Sequence, residues 1–348
     1  VSAVIAVGAE GAEGGEAAEE GDEPAYAAAY QGAPGAFSEE AALCLLGAAG
    51  WAGAALPDGS HRDRGVRLLP CARFDEVCDA VEGGRARLGA LPVENTFAGA
   101  VGAVGGLLRE RKLRIVGEVA LPIAHAVIGL PGATLGGLRR VFSHPVALAQ
   151  CEDFFRRNVH LEAVPAYDTA GAVEKILGEG DRAQAALAAR RTAGLYGGEV
   201  LAEAVQDDGI NLTRFVGVVR EGSAGVEPQT GAARKTTLSF LLAHRPGALC
   251  VALAHFAAHG LDLTRIESRP LRDRPFEYAF LIDVVDREGG TALAEALREL
   301  RRTASELRVL GSYPVAAAPA STKPFDFLHP LEACPPRRSE RPEGPQSL

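Results

Sequence analysis

Hydroxyl and amide side chains recur where predicted strands run into helices: Ser38, Asn95 with Thr96, Ser143 and Thr169. In an open α/β sheet the crevice at the carboxyl ends of the strands is where ligands bind. Helix N-termini there offer free N–H groups and a positive dipole end, which suit carboxylates. The pattern predicts a small anionic ligand held by neutral donors. Each residue taken singly reads better as a helix cap; four together favour a shared site. A sharper signal is the run QDDGINLTRFVGVV, where Thr213 and Arg214 sit at a Gly/Asn turn that feeds an apolar strand. An arginine there suits two roles equally, a bidentate clamp for a carboxylate or an ion pair with Asp207 or Asp208. Glu94, in LPVENTF, reads as an orienting partner of Asn95 or of an arginine. A fixed negative charge would repel an anionic substrate, which argues against a general base. His125 and His144 fall near strand ends and read as hydrogen-bonded scaffolding. The eight histidines show no metal spacing, and GLPGATLGG matches neither a P-loop nor a dinucleotide fingerprint.

The elements that must position these residues alternate. AYAAAYQG reads as a strand starting near Tyr26, followed by a helix opening at Ser38 with Glu39 and Glu40 in its first turn. RLGALPVEN reads as a strand, LRIVGEVALPIAHAVIGL as one or two strands interrupted at Pro122, and RRVFSHPVALAQCEDFF as strand, turn and helix. LEAVPAY, DTAGAVEKILGEG (capped by Asp168 or Thr169) and AQAALAA follow as strand, helix, strand. This alternation predicts an α/β fold with a largely parallel sheet. After about residue 222 the texture changes. EGSAGVEPQTGAAR reads as a linker, and the next 85 residues read strand–helix–strand–strand–helix–strand, the ferredoxin-like order. Leu249, Leu253 and Phe256 share one face of the first of those helices, and Gly260 reads as its left-handed cap.

Composition bounds the rest. A chain of 348 residues predicts two or three domains. Residues 1–24 carry six Glu and one Asp with no Lys or Arg, so most of the net charge of −9 sits in a low-complexity head expected to be disordered. The tail beyond residue 318 holds seven of the 21 prolines and is expected to be disordered too. No basic stripe points to nucleic acid, and no apolar run is long enough to span a membrane. The six scattered cysteines form no CxxC pair and suit a reducing compartment. The chain begins at Val1 and contains no methionine, which predicts a fragment or processed form.

Taken in order, YQGAPGAFSEEA, LPVENTFAG, FSHPVALAQC, YDTAGAV and QDDGINLTRFVGV resemble the prephenate dehydratase family, and their wording is closest to its plant and algal arogenate dehydratase branch. HRPGALCVALAHFAAHGLDLTRIESRP resembles an ACT regulatory domain. The resemblance covers about residues 26–318. It implies a two-lobed, periplasmic-binding-protein-like catalytic domain over 26–222, a linker at 223–233 and an ACT domain over 234–318, flanked by the head 1–25 and tail 319–348. It implies a carbon–oxygen lyase that needs no cofactor or metal. Such an enzyme removes CO₂ and water from arogenate, giving phenylalanine, or from prephenate, giving phenylpyruvate. Thr213 matches the family's proton donor. Ser38, Asn95, Thr96, Thr169, Arg214 and Phe215 match its substrate positions, with Glu94, Ser143 and His144 behind them. Gly247, Ala248 and Leu249, with Glu267, Ser268, Arg269 and Pro270, match segments that bind phenylalanine at a subunit interface. That implies feedback regulation, a homodimer or homotetramer, and the plastid stroma, or the cytoplasm if the source is bacterial. A catalytically silent amino-acid sensor is the alternative, and the presence of Thr213 speaks against it.

Overall fold

The computed structural model describes residues 25–48, 66–207, 209–223, 233–271, 274, 277–287 and 290–316. The acidic head, most of the expected linker, the expected disordered tail and Asp208 lie outside the described residues.

The first lobe comprises β1 (Tyr26–Gln31), α1 (Phe37–Ala48), β2 (Leu68–Cys71), α2 (Phe74–Glu82), β3 (Ala86–Asn95), β4 (Gly99–Ala100), α3 (Gly102–Glu110) and β5 (Leu113–Pro122). The second comprises β6 (Ala126–Gly129), β7 (Arg140–Ser143), α4 (Pro145–Ala149), α5 (Glu152–Arg157), β8 (Glu162–Pro165), α6 (Thr169–Glu179), β9 (Gln184–Ala188), α7 (Arg191–Tyr196) and β10 (Glu199–Ala202). β11 (Leu212–Arg220) returns to the first lobe, giving the strand order β2-β1-β3-β11-β5 there and β10-β6-β9-β7-β8 in the second.

Both sheets are mixed, not largely parallel. β1 pairs in parallel with β2 and β3, and β7 with β8 and β9, whereas β11 runs antiparallel to β3 and β5, and β6 to β9. The reason is the double crossing between lobes. β5 leaves toward the cleft and β11 comes back from it, so adjacent crossing strands oppose each other. The interruption read at Pro122 is this crossing: the long apolar run divides into β5 and β6 on separate sheets.

Local signals explain the elements. α6 buries Ala170, Val173 and Ile176 on one stripe, is capped by the Asp168 carboxylate accepting from Gly171 N–H, and stops at Gly180 in the left-handed conformation. The helix expected to open at Ser38 begins at Phe37, so Ser38 lies in its first turn and not at its cap.

The third unit comprises β12 (Arg234–Leu242), α8 (Ala248–Ala258), β13 (Asp262–Pro270), β14 (Tyr278–Asp286), α9 (Thr291–Thr303) and β15 (Ala304–Pro314) in the expected order, with an antiparallel sheet β13-β14-β12-β15. Its helices cover one face, where Ala252, Phe256, Ala296 and Leu300 pack on Leu238, Phe240, Ile282 and Val284. Its other face docks on the first lobe. Leu281, Leu310 and Tyr313 join the core that holds Leu113, Ile115 and Val216. Gly311 lies against the Ile115 carbonyl, and any side chain there would collide with that backbone. No helix among the described residues is long and apolar enough to cross a membrane.

Candidate active site

A cavity of about 1030 Å³ opens between the lobes, near the upper end of the roughly 300–1,000 Å³ range of small-molecule sites. It lies at the carboxyl ends of β3, β7 and β8 and at the start of β11. Ser38, Asn95, His144, Thr169, Thr213 and Phe215 all line it, brought together from five separate stretches of chain. The lobes are tied across its rim. Tyr196 O–H donates to the Pro34 carbonyl at 2.8 Å, Arg191 Nε–H to the Gly35 carbonyl at 3.0 Å, and Tyr167 O–H to the Ala72 carbonyl at 2.5 Å.

Thr213 is 9 % exposed, and its hydroxyl is held from one side. Asn95 Nδ2 donates to Thr213 Oγ1 at 2.9 Å and also to Asn211 Oδ1 at 2.7 Å. Asn95 Oδ1 accepts from the backbone N–H groups of Phe97 and Ala98 at 2.9 and 2.8 Å, which fixes the flip of the amide. Thr213 Oγ1 is therefore an acceptor toward Asn95, and its own proton is available for the cavity.

Behind this pair Gln150 Nε2 approaches Asn95 Oδ1 at 3.4 Å, while Gln150 Oε1 accepts from His125 Nε2 at 2.9 Å. His125 Nδ1 is buried without a partner among the described residues. Burial pulls the His125 pKa below its usual value against the pull of the Gln150 hydrogen bond, and burial lowers His144 too, with Asp168 opposing. Both shifts favour the neutral ring, and the groups next to Thr213, namely Asn95, Gln150 and His125, form a chain of uncharged donors and acceptors.

Several expected positions lie elsewhere. Thr96 is exposed and does not line the cavity. Its hydroxyl donates to the Ile210 carbonyl and accepts from Leu212 N–H, pinning the approach to β11. Ser143 is fully buried and donates to the Leu187 carbonyl at 2.7 Å, which ties β7 to β9. Arg214 is not a clamp in the cavity. Strand alternation puts Thr213 and Phe215 on the cavity side and Arg214 on the opposite one. There it pairs with Glu118 at 2.9 Å, Asp283 at 2.5 Å and Glu94 at 3.3 Å. The ion-pair reading is the one the geometry favours, with partners other than Asp207, which instead accepts from Asp153 N–H. Glu94 accordingly faces arginines, Arg214 and Arg265, outside the cavity.

Gly247 caps α8 in the left-handed conformation, with Ala248 and Leu249 in its first turn. On β13, Ser268 and Pro270 are exposed, whereas Glu267 and Arg269 turn toward α3 of the first lobe and pair with each other. The Arg269 guanidinium lies where a side chain at Gly102 would sit. Sequence reasoning missed Gln150, Asn211 and Tyr167. Gln150 lies inside the run FSHPVALAQC and carries a polar side chain on an otherwise apolar helix approach, which was the available signal.

A two-lobed α/β cleft with a neutral, hydroxyl-bearing wall and a docked ferredoxin-like domain defines a small-acid binding or lyase scaffold under regulatory control. Comparison with known proteins makes this specific: the prephenate dehydratase family model matches residues 28–223 and the ACT domain model residues 236–302. The chain belongs to the prephenate dehydratase family. It is 41% identical over 309 residues to arogenate dehydratase 1 of Petunia hybrida, covering 84% of this chain and 67% of that protein. It is 40% identical to the chloroplastic arogenate dehydratase/prephenate dehydratase 6 of Arabidopsis thaliana, covering 84% and 70%. Among solved structures it is similar to a prephenate dehydratase from Arthrobacter aurescens in complex with L-Phe, with TM-score 0.70 and 31% identity over 82% of this chain and 90% of that one. It is equally similar in fold to GqqA, described as a quorum-quenching acylase, with TM-score 0.70 and 36% identity over 84% and 98%.

Proposed function

We propose that this chain is a decarboxylating dehydratase that acts on arogenate, with prephenate as the lesser substrate, and is feedback-regulated by phenylalanine. The observation that carries the reading is the Thr213 hydroxyl, held as an acceptor by Asn95 where its immediate neighbours, Asn95 and Asn211, are neutral. The bond from the ring to its carboxylate breaks and releases CO₂, its electron pair moves through the ring, the ring hydroxyl leaves with the Thr213 proton as water, and a solvent proton then restores the Thr213 hydroxyl. Asn95 Nδ2–H stabilises the charge that develops on Thr213 Oγ1, an action aimed at the transition state. The neutral wall suits this chemistry. A cation against the leaving carboxylate would hold the ground state, whose charge is concentrated, more tightly than the transition state, where it is dispersed. Ser38 and Thr169 contact the substrate, Phe215 and His144 shape the pocket they line, and Glu94 and Ser143 act behind them.

The preference for arogenate rests on its side-chain ammonium, which needs an acceptor. Three carboxylates line the cavity. Asp75 is paired with Arg73 and Glu110 with Arg109, at 2.9 and 3.3 Å. Asp168 has no arginine or lysine partner among the described residues, and only one of its oxygens is used, by Gly171 N–H. A hydrolytic, acylase-like reading is less well supported. Among the described residues, no serine or threonine hydroxyl lining the cavity is hydrogen-bonded to a histidine ring.

Phenylalanine would bind at Gly247–Leu249 and the exposed side of β13, with Glu267 and Arg269 shaping the strand from behind. β13 is an open sheet edge with Ile266 half exposed, which suits pairing of two copies as a dimer or dimer of dimers. The chloroplastic relatives support the plastid stroma as the compartment. The test is turnover of arogenate and of prephenate side by side, with and without phenylalanine. Faster arogenate turnover that phenylalanine lowers is expected; faster prephenate turnover would remove the substrate assignment. Phenylalanine binding without turnover of either would favour the silent sensor.

A further inference from the structure

The residue beside the proton donor belongs to a different network from the donor itself. Arg214 leaves β11 on the side away from the cavity and enters a buried ion cluster at the junction with the ACT domain. Burial works against its charge, but Asp283, Glu94 and Glu118 outweigh it and push the Arg214 pKa up. Asp283 is fully buried on β14 of the ACT domain, with one oxygen on Arg214 at 2.5 Å and the other accepting from Thr237 Oγ1 at 2.8 Å. Lys235 of β12 reaches Glu118 at 2.8 Å. The cluster continues without a gap from Arg214 to Glu94, from Glu94 to Arg265 at 3.8 Å, from Arg265 to Glu267 and from Glu267 to Arg269. Four cations meet four carboxylates, so the cluster is balanced only while both domains are in place.

The backbone at Arg214 is the point where this anchoring reaches the chemistry. In the β11–β3 ladder Thr213 faces Asn95 and Arg214 faces Glu94, but Phe215 faces Pro92, so β3 has one residue too many at that step. Such an irregularity re-aims the flanking side chains and is costly to move once its neighbours are fixed. Arg214, held by Asp283 on one side and Glu118 on the other, fixes the step that aims Thr213 at the cavity.

We propose that Asp283, a residue of the regulatory domain, is a positioning residue for the dehydration step: it holds Arg214 and so aims Thr213. The ion ladder from Arg214 to Arg269 then makes the pose of β13 and the pose of Thr213 one equilibrium. A ligand that shifts β13 changes turnover through this ladder and needs no contact with the cavity. The inference rests on the reading of Thr213 as proton donor.

The test compares Asp283→Asn, Asp283→Glu and the milder Thr237→Val in the full chain. It reads kcat and KM on arogenate and prephenate, the phenylalanine inhibition curve and the thermal melt. Asp283→Asn is expected to lower kcat about five- to thirtyfold, with KM within about twofold of wild type. It should also raise the phenylalanine concentration for half inhibition. Asp283→Glu should recover part of kcat, and Thr237→Val should shift both readouts the same way by about two- to threefold. Wild-type kcat and inhibition in a folded Asp283→Asn protein overturn the proposal, as does a kcat loss equal to the unfolded fraction. If Asp283→Asn does not fold, the same readouts on Thr237→Val decide. A wild-type protein inert on both substrates overturns the functional reading and this proposal together. An active wild type with unchanged variants overturns this proposal alone.

Discussion

The first lobe has two working faces, and they handle charge in opposite ways. Around Thr213 the cleft face presents Ser38, Asn95 and Thr213, neutral groups whose hydrogen bonds are partly left for a ligand, while the charged Arg73, Asp75, Glu110 and Arg111 line other parts of the cavity. Toward the ACT domain it presents Glu118, Glu94 and Arg214, fully ionic groups paired with Asp283, Lys235 and Arg265. The anionic substrate brings its own charge into the cleft, so fixed charge there would mostly bind the ground state. At the domain junction nothing arrives. Burying ions there gains little net stability against an apolar contact, yet breaking one pair is costly. What the ionic face supplies is a unique docking register. β11 separates the two faces, and consecutive residues of one short motif serve one face each.

The sharpest way to break this contrast is to remove the group on the cleft face. Thr213→Ala is expected to lower kcat by about 10²–10⁴-fold, leaving KM and the melting temperature close to wild type. Near-normal turnover would show that another group delivers the proton. The matching change on the ionic face is Arg214→Met, which keeps the bulk of the side chain but leaves Asp283 and Glu118 short of a partner. It is expected to cost about 3–5 kcal/mol of stability, measured by urea denaturation. If it destabilises no more than Thr213→Ala does, the cluster does not hold the domains together.

The two faces also differ in how far the sequence reveals them. The cleft residues Ser38, Asn95, Thr169 and Thr213 are legible because each is a small polar residue at an end of an apolar strand or the start of a helix, a local pattern. The role of Arg214 is not legible. Its partners Glu118 and Asp283 lie 96 and 69 residues away; the pairing of β11 with β5 brings Glu118 near, and the docking of the second domain brings Asp283. Thr96 and Ser143 mislead for the same reason. Their hydroxyls satisfy backbone groups 114 and 44 residues distant, and nothing local distinguishes that use from substrate contact. The third unit reads well because its strand–helix order is local, α8 is an almost wholly apolar helix and α9 carries a clear apolar stripe. The mixed sheets read poorly, because strand direction follows from the return of β11 across the cleft.

Two smaller changes sharpen the account of the neutral cleft. Asp168→Asn keeps the cap on α6 and removes the one unpaired carboxylate of the wall. It should reduce kcat/KM for arogenate about tenfold, with that for prephenate equal or higher, because one lost charge-assisted hydrogen bond of about 1.5 kcal/mol acts on the ammonium alone. An equal loss on both substrates would make Asp168 a cap and nothing more.

His125 tests whether neutrality of the wall is itself maintained by the fold. Its folded pKa lies below the usual histidine value of about 6.5, so as pH falls the unfolded chain takes up the proton first. The stability contributed by burying the neutral ring is therefore fully present above about pH 6.5 and declines below it, by at most about 1.4 kcal/mol per pH unit until the folded pKa is reached. His125→Gln offers an amide to Gln150 but cannot take on that charge. Its melting temperature should fall less than wild type's between pH 7.5 and 5.5, while the two proteins run parallel above pH 7. His144 is shifted the same way but is exposed and opposed by Asp168, so its share of the slope is smaller. Equal slopes for wild type and variant would mean that His125 takes up its proton at the same pH in the folded and unfolded states, and the cleft would then tolerate a cation that the chemistry argues against.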